Sequence, residues 1–232
     1  MAKTRILCST SSRIISVLFF FVGFSLCLQA QNRSKERIKE NDSIPLFNGV
    51  YVFADLAGPL QMAFTDSGQA EGGVQVNLKG RFFPVFEAGY GMANSKNEET
   101  KTSFKTNSPY FRIGCDYNAL KRKNTPYKLL IGLRYAVSPF KFSIENPSVT
   151  DPIWNTNQAI SLENISQTYH WAEAVVGVNV KIYKMLHLGW TLRYKYKVAS
   201  TGANNIVPHY APGFGSGGTS NFGGTFNIII AL

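Results

Sequence analysis

The chain has 232 residues, a formal net charge of +10, 44% hydrophobic and 16% charged residues, and three cysteines. This length suits one domain behind a leader, and so few cysteines exclude a disulfide-stapled scaffold or a thiolate metal cluster. The positive residues are spread through turns and strand faces, with no basic helix or basic-aromatic cluster, so the charge does not indicate a nucleic-acid partner.

Lys3, Arg5 and Arg13 precede an apolar run from Val17 to Leu28, and Leu28-Gln29-Ala30 offers a small residue at a cleavage point. This is the layout of a secretory signal peptide over residues 1–30. The run is too short for a membrane anchor, which needs about 20 apolar residues. Cys27 follows Phe24-Ser25-Leu26, and the bulk of Leu26 argues against lipid attachment. Cleavage removes three positive charges, lowering the net charge to +7, and takes Cys8 and Cys27. Cys115 then remains as a small hydrophobe on the apolar face of a strand. Residues 31–47 mix Arg33, Lys35, Glu36, Arg37, Lys39, Glu40 and Asp42. They read as a mobile or weakly helical polar leader in the periplasm, ahead of a barrel domain over residues 48–232.

Eight segments then alternate apolar and polar residues, the period of a strand with one dry and one wet face. The expected strands are Gly49–Gly58, Gly72–Arg81, Phe82–Ala93, Tyr110–Ala119, Tyr127–Phe142, Tyr169–Tyr183, Leu186–Val198 and Asn221–Leu232. The seventh is the clearest. Leu186, Leu188, Trp190, Leu192, Tyr194, Tyr196 and Val198 share one face, and His187, Gly189, Thr191, Arg193, Lys195 and Lys197 the other. In the fifth, Phe140 and Phe142 fall on the polar parity after Pro139. A bulge or strand end is expected there. No segment of 10 to 15 residues shows strong helical spacing.

The strands are longer than the roughly 5–6 residues common in globular proteins and match the roughly 9–11 that cross a bilayer. Links Lys79–Arg81, Leu120–Pro126 and Tyr183–Met185 are short, whereas Pro59–Glu71, Asn94–Pro109, Ser143–Thr168 and Ala199–Thr219 are long. Alternating short and long links and an even strand number define the expected class. It is all-β: an eight-stranded antiparallel up-and-down transmembrane β-barrel with short periplasmic turns and longer extracellular loops.

Hydrocarbon satisfies no backbone polar group, so such a sheet must close, and eight strands leave room inside for side chains alone. The interior candidates are Asp55, Gln75, Asn77, Glu87, Arg112, Asp116, Arg134, Glu173, Asn179, Lys181 and Arg193. Both signs occur, which permits a salt-bridged filling. A proton relay or catalytic set from Glu87, Asp116 and Glu173 is the rival reading. Gly89, Gly91, Gly114, Gly132, Gly177, Gly189 and Gly223 relieve crowding on the same face. Tyr110, Tyr117, Tyr127, Tyr135, Tyr183, Tyr194 and Tyr196 are candidates for an interfacial aromatic girdle.

His170, His187 and His209 lack metal-ligand spacing. His170 lies near Thr168 and Glu173, and His209 shares a loop with Ser216 and Ser220. No catalytic, cofactor-binding or metal-ligating residue is assigned, no cofactor is expected, and an enzymatic role is not expected. Asp151-Pro152-Ile153-Trp154 and Pro208-His209-Tyr210-Ala211-Pro212-Gly213-Phe214 place aromatics among turn formers. They bind an extracellular ligand or protein, or they pack the loops together.

In topology the chain resembles small outer-membrane barrels of the OmpA and OmpX type. It is also similar to a domain-of-unknown-function family of outer-membrane barrels. The resemblance rests on VYVFADLAGP (Val50 to Pro59), FPVFEAGYG (Phe83 to Gly91), PYFRIGCDYN (Pro109 to Asn118), LRYAVSPFKF (Leu133 to Phe142), LGWTLRYK (Leu188 to Lys195) and SNFG (Ser220 to Gly223). It implies fold and a Gram-negative outer-membrane location, and it assigns no activity. Leu232 stands where such barrels often carry the Phe read by the assembly machinery. The expected function is a structural or surface-interaction role through the loops, with outer-membrane lipid and the barrel-assembly machinery as partners. A lipid-modifying enzyme of acyltransferase or deacylase type and a secreted lipocalin-like carrier are the alternatives.

Overall fold

Alternation closes the chain into one sheet. In this computed structural model β1 (Phe47–Asp55), α1 (Ala57–Phe64), β2 (Ser67–Leu78), β3 (Phe82–Lys96), β4 (Ser103–Asn118) and β5 (Tyr127–Thr150) are followed by β6 (Asn157–Tyr183) and β7 (Leu186–Gly202). A small hairpin of β8 (Tyr210–Ala211) and β9 (Gly215–Ser216) precedes the last strand, β10 (Ser220–Ala231). The structure describes residues 45–97, 101–120, 125–150, 157–202 and 207–232, with backbone alone at 148–150, 157, 158 and 160. The signal peptide, nearly all of the polar leader and the Asp151–Trp154 segment lie outside the described residues.

The strands form a closed antiparallel barrel in the order β1-β10-β7-β6-β5-β4-β3-β2, with β8-β9 apart from it. Successive barrel strands pair in chain order, with β7 pairing β10 past the small hairpin and β1 pairing β10 at the closure. Local turn chemistry ends the strands on one side: Asn77 Oδ1 accepts from Gly80 N at 2.9 Å in the β2–β3 turn. At the other end the strands overrun their expected limits. β5 has 24 residues and β6 has 27, so much of the expected 94–109 and 143–168 loops is hairpin.

The expected change of phase at Pro139 does not occur. β5 and β6 stay paired from Tyr127↔Val180 through Phe142↔Ile165, and the register shifts only between Phe142 and Ile144 and again between Asn146 and Val149. Phe140 and Phe142 therefore keep the inward parity of Arg134 and Ser138, and both are buried. The reason is that the upper lumen is dry: they pack with Phe104, Tyr169, Trp171 and Phe214 in an aromatic cluster. A second apolar cluster, built on Tyr51, Phe53, Phe83 and Leu130, fills the turn end.

Outward positions are apolar. Phe86, Phe111, Ile113, Leu133, Val176, Trp190 and Leu192 are all exposed, Leu133 at 72%. Tyr117, Tyr127, Tyr135, Tyr183, Tyr194 and Tyr196 share that surface, as does free Cys115. Tyr110 does not join them: its side chain points into the lumen and is fully buried, donating to Glu71 Oε2 at 2.7 Å.

Candidate functional site

The register places opposite charges beside each other on the inner face. Glu87 pairs across the ladder with Arg112, Arg134 with Glu173, and Glu173 with Lys195. Long side chains then cross the lumen. Arg112 Nη1 reaches Glu71 Oε2 at 2.5 Å and Glu87 Oε2 at 3.3 Å, while its Nε lies 2.9 Å from Glu173 Oε1. Arg193 Nη2 meets Glu71 Oε1 at 2.9 Å, and its Nη1 meets Glu87 Oε2 at 2.8 Å and Glu173 Oε2 at 3.5 Å. Arg134 pairs with Glu87 and, through Nη2 at 3.0 Å, with Asp116 Oδ2.

Neutral donors complete the network. Gln75 Nε2 donates to Asp116 Oδ2 at 2.9 Å and Trp171 Nε1 to Glu173 Oε1 at 2.7 Å. Among the described residues the buried charged ones are Asp55, Glu71, Glu87, Asp116 and Glu173 against Arg112, Lys128, Arg134, Arg193 and Lys195. Five negative and five positive groups cancel, so the attraction among them offsets a desolvation cost of several kcal/mol per ion. Near the turn end, Lys128 Nζ donates to Tyr51 Oη at 2.6 Å and lies 5.1 Å from the centre of the Phe83 ring.

The lumen retains a void of about 30 Å³ among Gln75, Asp116, Arg134, Asn227 and their neighbours. That is room for a water or two and not for a channel. A larger cavity of about 850 Å³ at the loop end is lined from β3, β4, β5, β6 and β7, with Thr106, Asn107, Ser166 and Gln167 among its residues.

The loop after β7 closes the lumen from above. Gly213 has φ +79, and a Cβ there would fall 2.5 Å from Tyr110 Cγ, so only glycine fits. Its carbonyl accepts from Arg112 Nη2 at 3.1 Å and Lys195 Nζ at 2.6 Å. Phe214 is fully buried, edge-on to Tyr169 and Trp171 at 6.0 and 5.8 Å. Its carbonyl accepts from Asn221 Nδ2 at 3.1 Å. The Tyr210 phenol in this loop is pushed up to about 12 by burial, against a smaller opposing effect of Arg112. The aromatics of this segment thus pack into the barrel, while His209 is exposed beside Phe104.

Ten of the eleven interior candidates are buried. Lys181 is the correction: it is exposed at the turn end, where the β6–β7 register shifts between Lys181 and Tyr183 and water is within reach of the ammonium. Glu71, Lys128 and Lys195 are interior residues absent from the expected set. Parity holds the signal: Glu71 shares the odd face of Gln75 and Asn77, and Lys195 that of Arg193. Glu71 escapes the expected set because β2 begins at Ser67, inside the expected loop.

The three carboxylates of the rival catalytic reading do converge, each against an arginine. The histidines do not join them. His170 Nδ1 lies 3.0 Å from Tyr135 Oη on the outer face, and His187 Nδ1 lies 3.0 Å from Asn179 Oδ1 at the turn end. Among the described residues no group of three or more His, Cys, Asp or Glu could hold a metal ion.

These features define a closed, plugged eight-stranded β-barrel with an ionic core and an apolar exterior. The chain belongs to the family described as a domain of unknown function, DUF6048, whose sequence model matches residues 10–231. No curated protein matches it. Among solved structures it is similar to a major outer membrane protein from Thermus thermophilus, at 11% identity and a TM-score of 0.49 over 79% of this chain and 98% of that one. It is also similar to Neisserial surface protein A (NspA), at 14% identity and a TM-score of 0.44 over 80% of this chain and 99% of that one.

Proposed function

We propose that this is an outer-membrane barrel with a structural or surface-interaction role, presented to the exterior by its loop end. The supporting observation is inverted polarity: ten charged side chains are buried inside while phenylalanines, leucines and valines stand exposed outside. Monomeric soluble proteins seldom expose contiguous apolar patches beyond a few hundred Å². Acyl chains are the solvent that suits such a wall, and closure of the sheet is what they require of its backbone.

On this reading the short turns face the periplasm and the long hairpins face outward. Residues 1–30 direct export, and membrane lipid and the barrel-assembly machinery are the partners. The neutralised core gives the carboxylates a packing role. It is also the reverse of the apolar ligand cavity of a lipocalin-like carrier.

Membranes of the producing cell, separated by density and extracted with mild detergent, test this. The barrel is expected in the outer-membrane fraction, migrating faster on gels unheated than boiled, with a mature terminus near Gln31. Recovery in the detergent-free soluble fraction would overturn the reading. Incubation with lipid A or phospholipid checks the non-catalytic part: turnover that disappears in His170→Ala would overturn it.

A further inference from the structure

The wall of the barrel is not continuous sheet. β10 pairs with β7 from Ser220 to Ile230 but with β1 only from Asn227 to Ala231. β2 pairs with β3 from Ser67 but with β1 only from Gly72. Above Asp55, where β1 ends, Ser220–Phe226 and Ser67–Glu71 therefore lack a strand between them.

α1 occupies this notch. Asp55 Oδ2 accepts from Gly58 N at 2.8 Å, and its Oδ1 accepts from Ala57 N and Phe226 N, each at 3.1 Å. Leu56 N donates to Phe226 O at 2.8 Å. One carboxylate thus ties the first turn of the helix to the free edge of β10. On the other side α1 lies against β2 so closely that a Cβ at Gly58 would collide with the Gln69 carbonyl.

The notch begins at a depth where the surrounding wall is apolar. Asp55 pairs with Asn227, and the next outward residues up β10 are Phe226, Gly224 and Phe222, opposite Trp190, Leu192 and Tyr194. Leu56, Leu60 and Phe64 form one stripe at helical spacing, exposed at 45%, 63% and 81%. Leu56, whose N–H bonds Phe226 O, starts the stripe beside the outward Phe226.

We propose that α1 is embedded in the bilayer as a helical patch in the barrel wall, with Leu56, Leu60 and Phe64 contacting lipid acyl chains. The inference rests on the membrane reading above and goes beyond it, since a helix on the loop side of a strand would ordinarily stand in water. Physically, Asp55 accepts from two first-turn N–H groups and Thr65 donates through its N–H and hydroxyl to Gln61 O, so the capped helix carries fewer unpaired backbone groups into hydrocarbon than an open loop would.

The test uses the full-length protein with Cys8, Cys27 and Cys115 each replaced by Ser and a single new cysteine at Leu60, Phe64, Phe222 or Lys101, labelled with a fluorophore. Each is reconstituted in phosphatidylcholine vesicles with or without mid-chain bromine, and iodide serves as the aqueous quencher. Labels at Leu60→Cys and Phe64→Cys are expected to be quenched by bromolipid as strongly as at Phe222→Cys, whereas Lys101→Cys responds to iodide. If Phe222→Cys responds to bromolipid while Leu60→Cys and Phe64→Cys follow Lys101→Cys, α1 stands in water. The proposal then falls and the membrane barrel survives. Protection of Leu60→Cys and Phe64→Cys from both quenchers would mean a second protein copy covers the stripe, which also overturns it. Failure of Phe222→Cys to respond to bromolipid would sink both readings.

Discussion

Glu87 holds the most crowded position in the barrel, with three guanidinium groups around one carboxylate. Removing it leaves positive charge buried without its partner, and breaking a buried pair in this way costs about 3–5 kcal/mol. Glu87→Ala is therefore expected to lower the unfolding free energy of the detergent-folded barrel by that amount, read as a lower urea midpoint. An unchanged midpoint would mean water already reaches the arginines. Lys195 acts at the same scale through main-chain carbonyls, donating to Gly213 O at 2.6 Å and Phe214 O at 3.3 Å. Lys195→Met removes a charged donor from two carbonyls that keep Arg112 and Asn221, a loss of about 1.5–3 kcal/mol. Limited proteolysis is expected to show faster cleavage between Val207 and Thr219 with the barrel still intact.

At the scale of the element, a strand here has three environments along its length. β5 starts beside the turn-end cluster, crosses the ionic core at Arg134, and passes the aromatic mouth at Phe140 and Phe142 before running on to Thr150. Its outer face changes less: Leu133 and Tyr135 are exposed low on the strand, and Lys141 higher up. Leu133→Arg is expected to cost about 2–4 kcal/mol, the penalty for a cation near the bilayer midplane. Lys141→Glu, above the belt, should stay within about 0.5 kcal/mol. Refolding titrations into vesicles check both, and equal costs would mean the belt is placed at the wrong height. The strand limits also explain where periodicity misleads. Pro139 looks like a break because apolar residues change parity there, yet what changes is the lumen, which passes from ionic to aromatic.

At the scale of the whole molecule, the lumen is shut twice, by the ionic core and by the loop carrying Phe214. The void beside Asp116 and Arg134 is about 30 Å³, too small to pass ions, so planar bilayers holding the purified protein are expected to show no steady conductance. Sustained single-channel steps would mean the core rearranges in the membrane. Much of this architecture is legible in the chain because successive Cβ atoms of a strand alternate sides. Facing follows from residue order alone, which is why ten interior residues, the outward tyrosines except Tyr110, and the strand count can be read from sequence. What tertiary structure alone decided are the meetings between distant positions. Glu87 and Arg193 are 106 residues apart, Arg112 and Gly213 are 101 apart, and above Asp55 a helix lies between β2 and β10 where β1 has ended. Local periodicity is set by the geometry of one strand, whereas these contacts are set by closure, shear and the space left inside, which are properties of eight strands together.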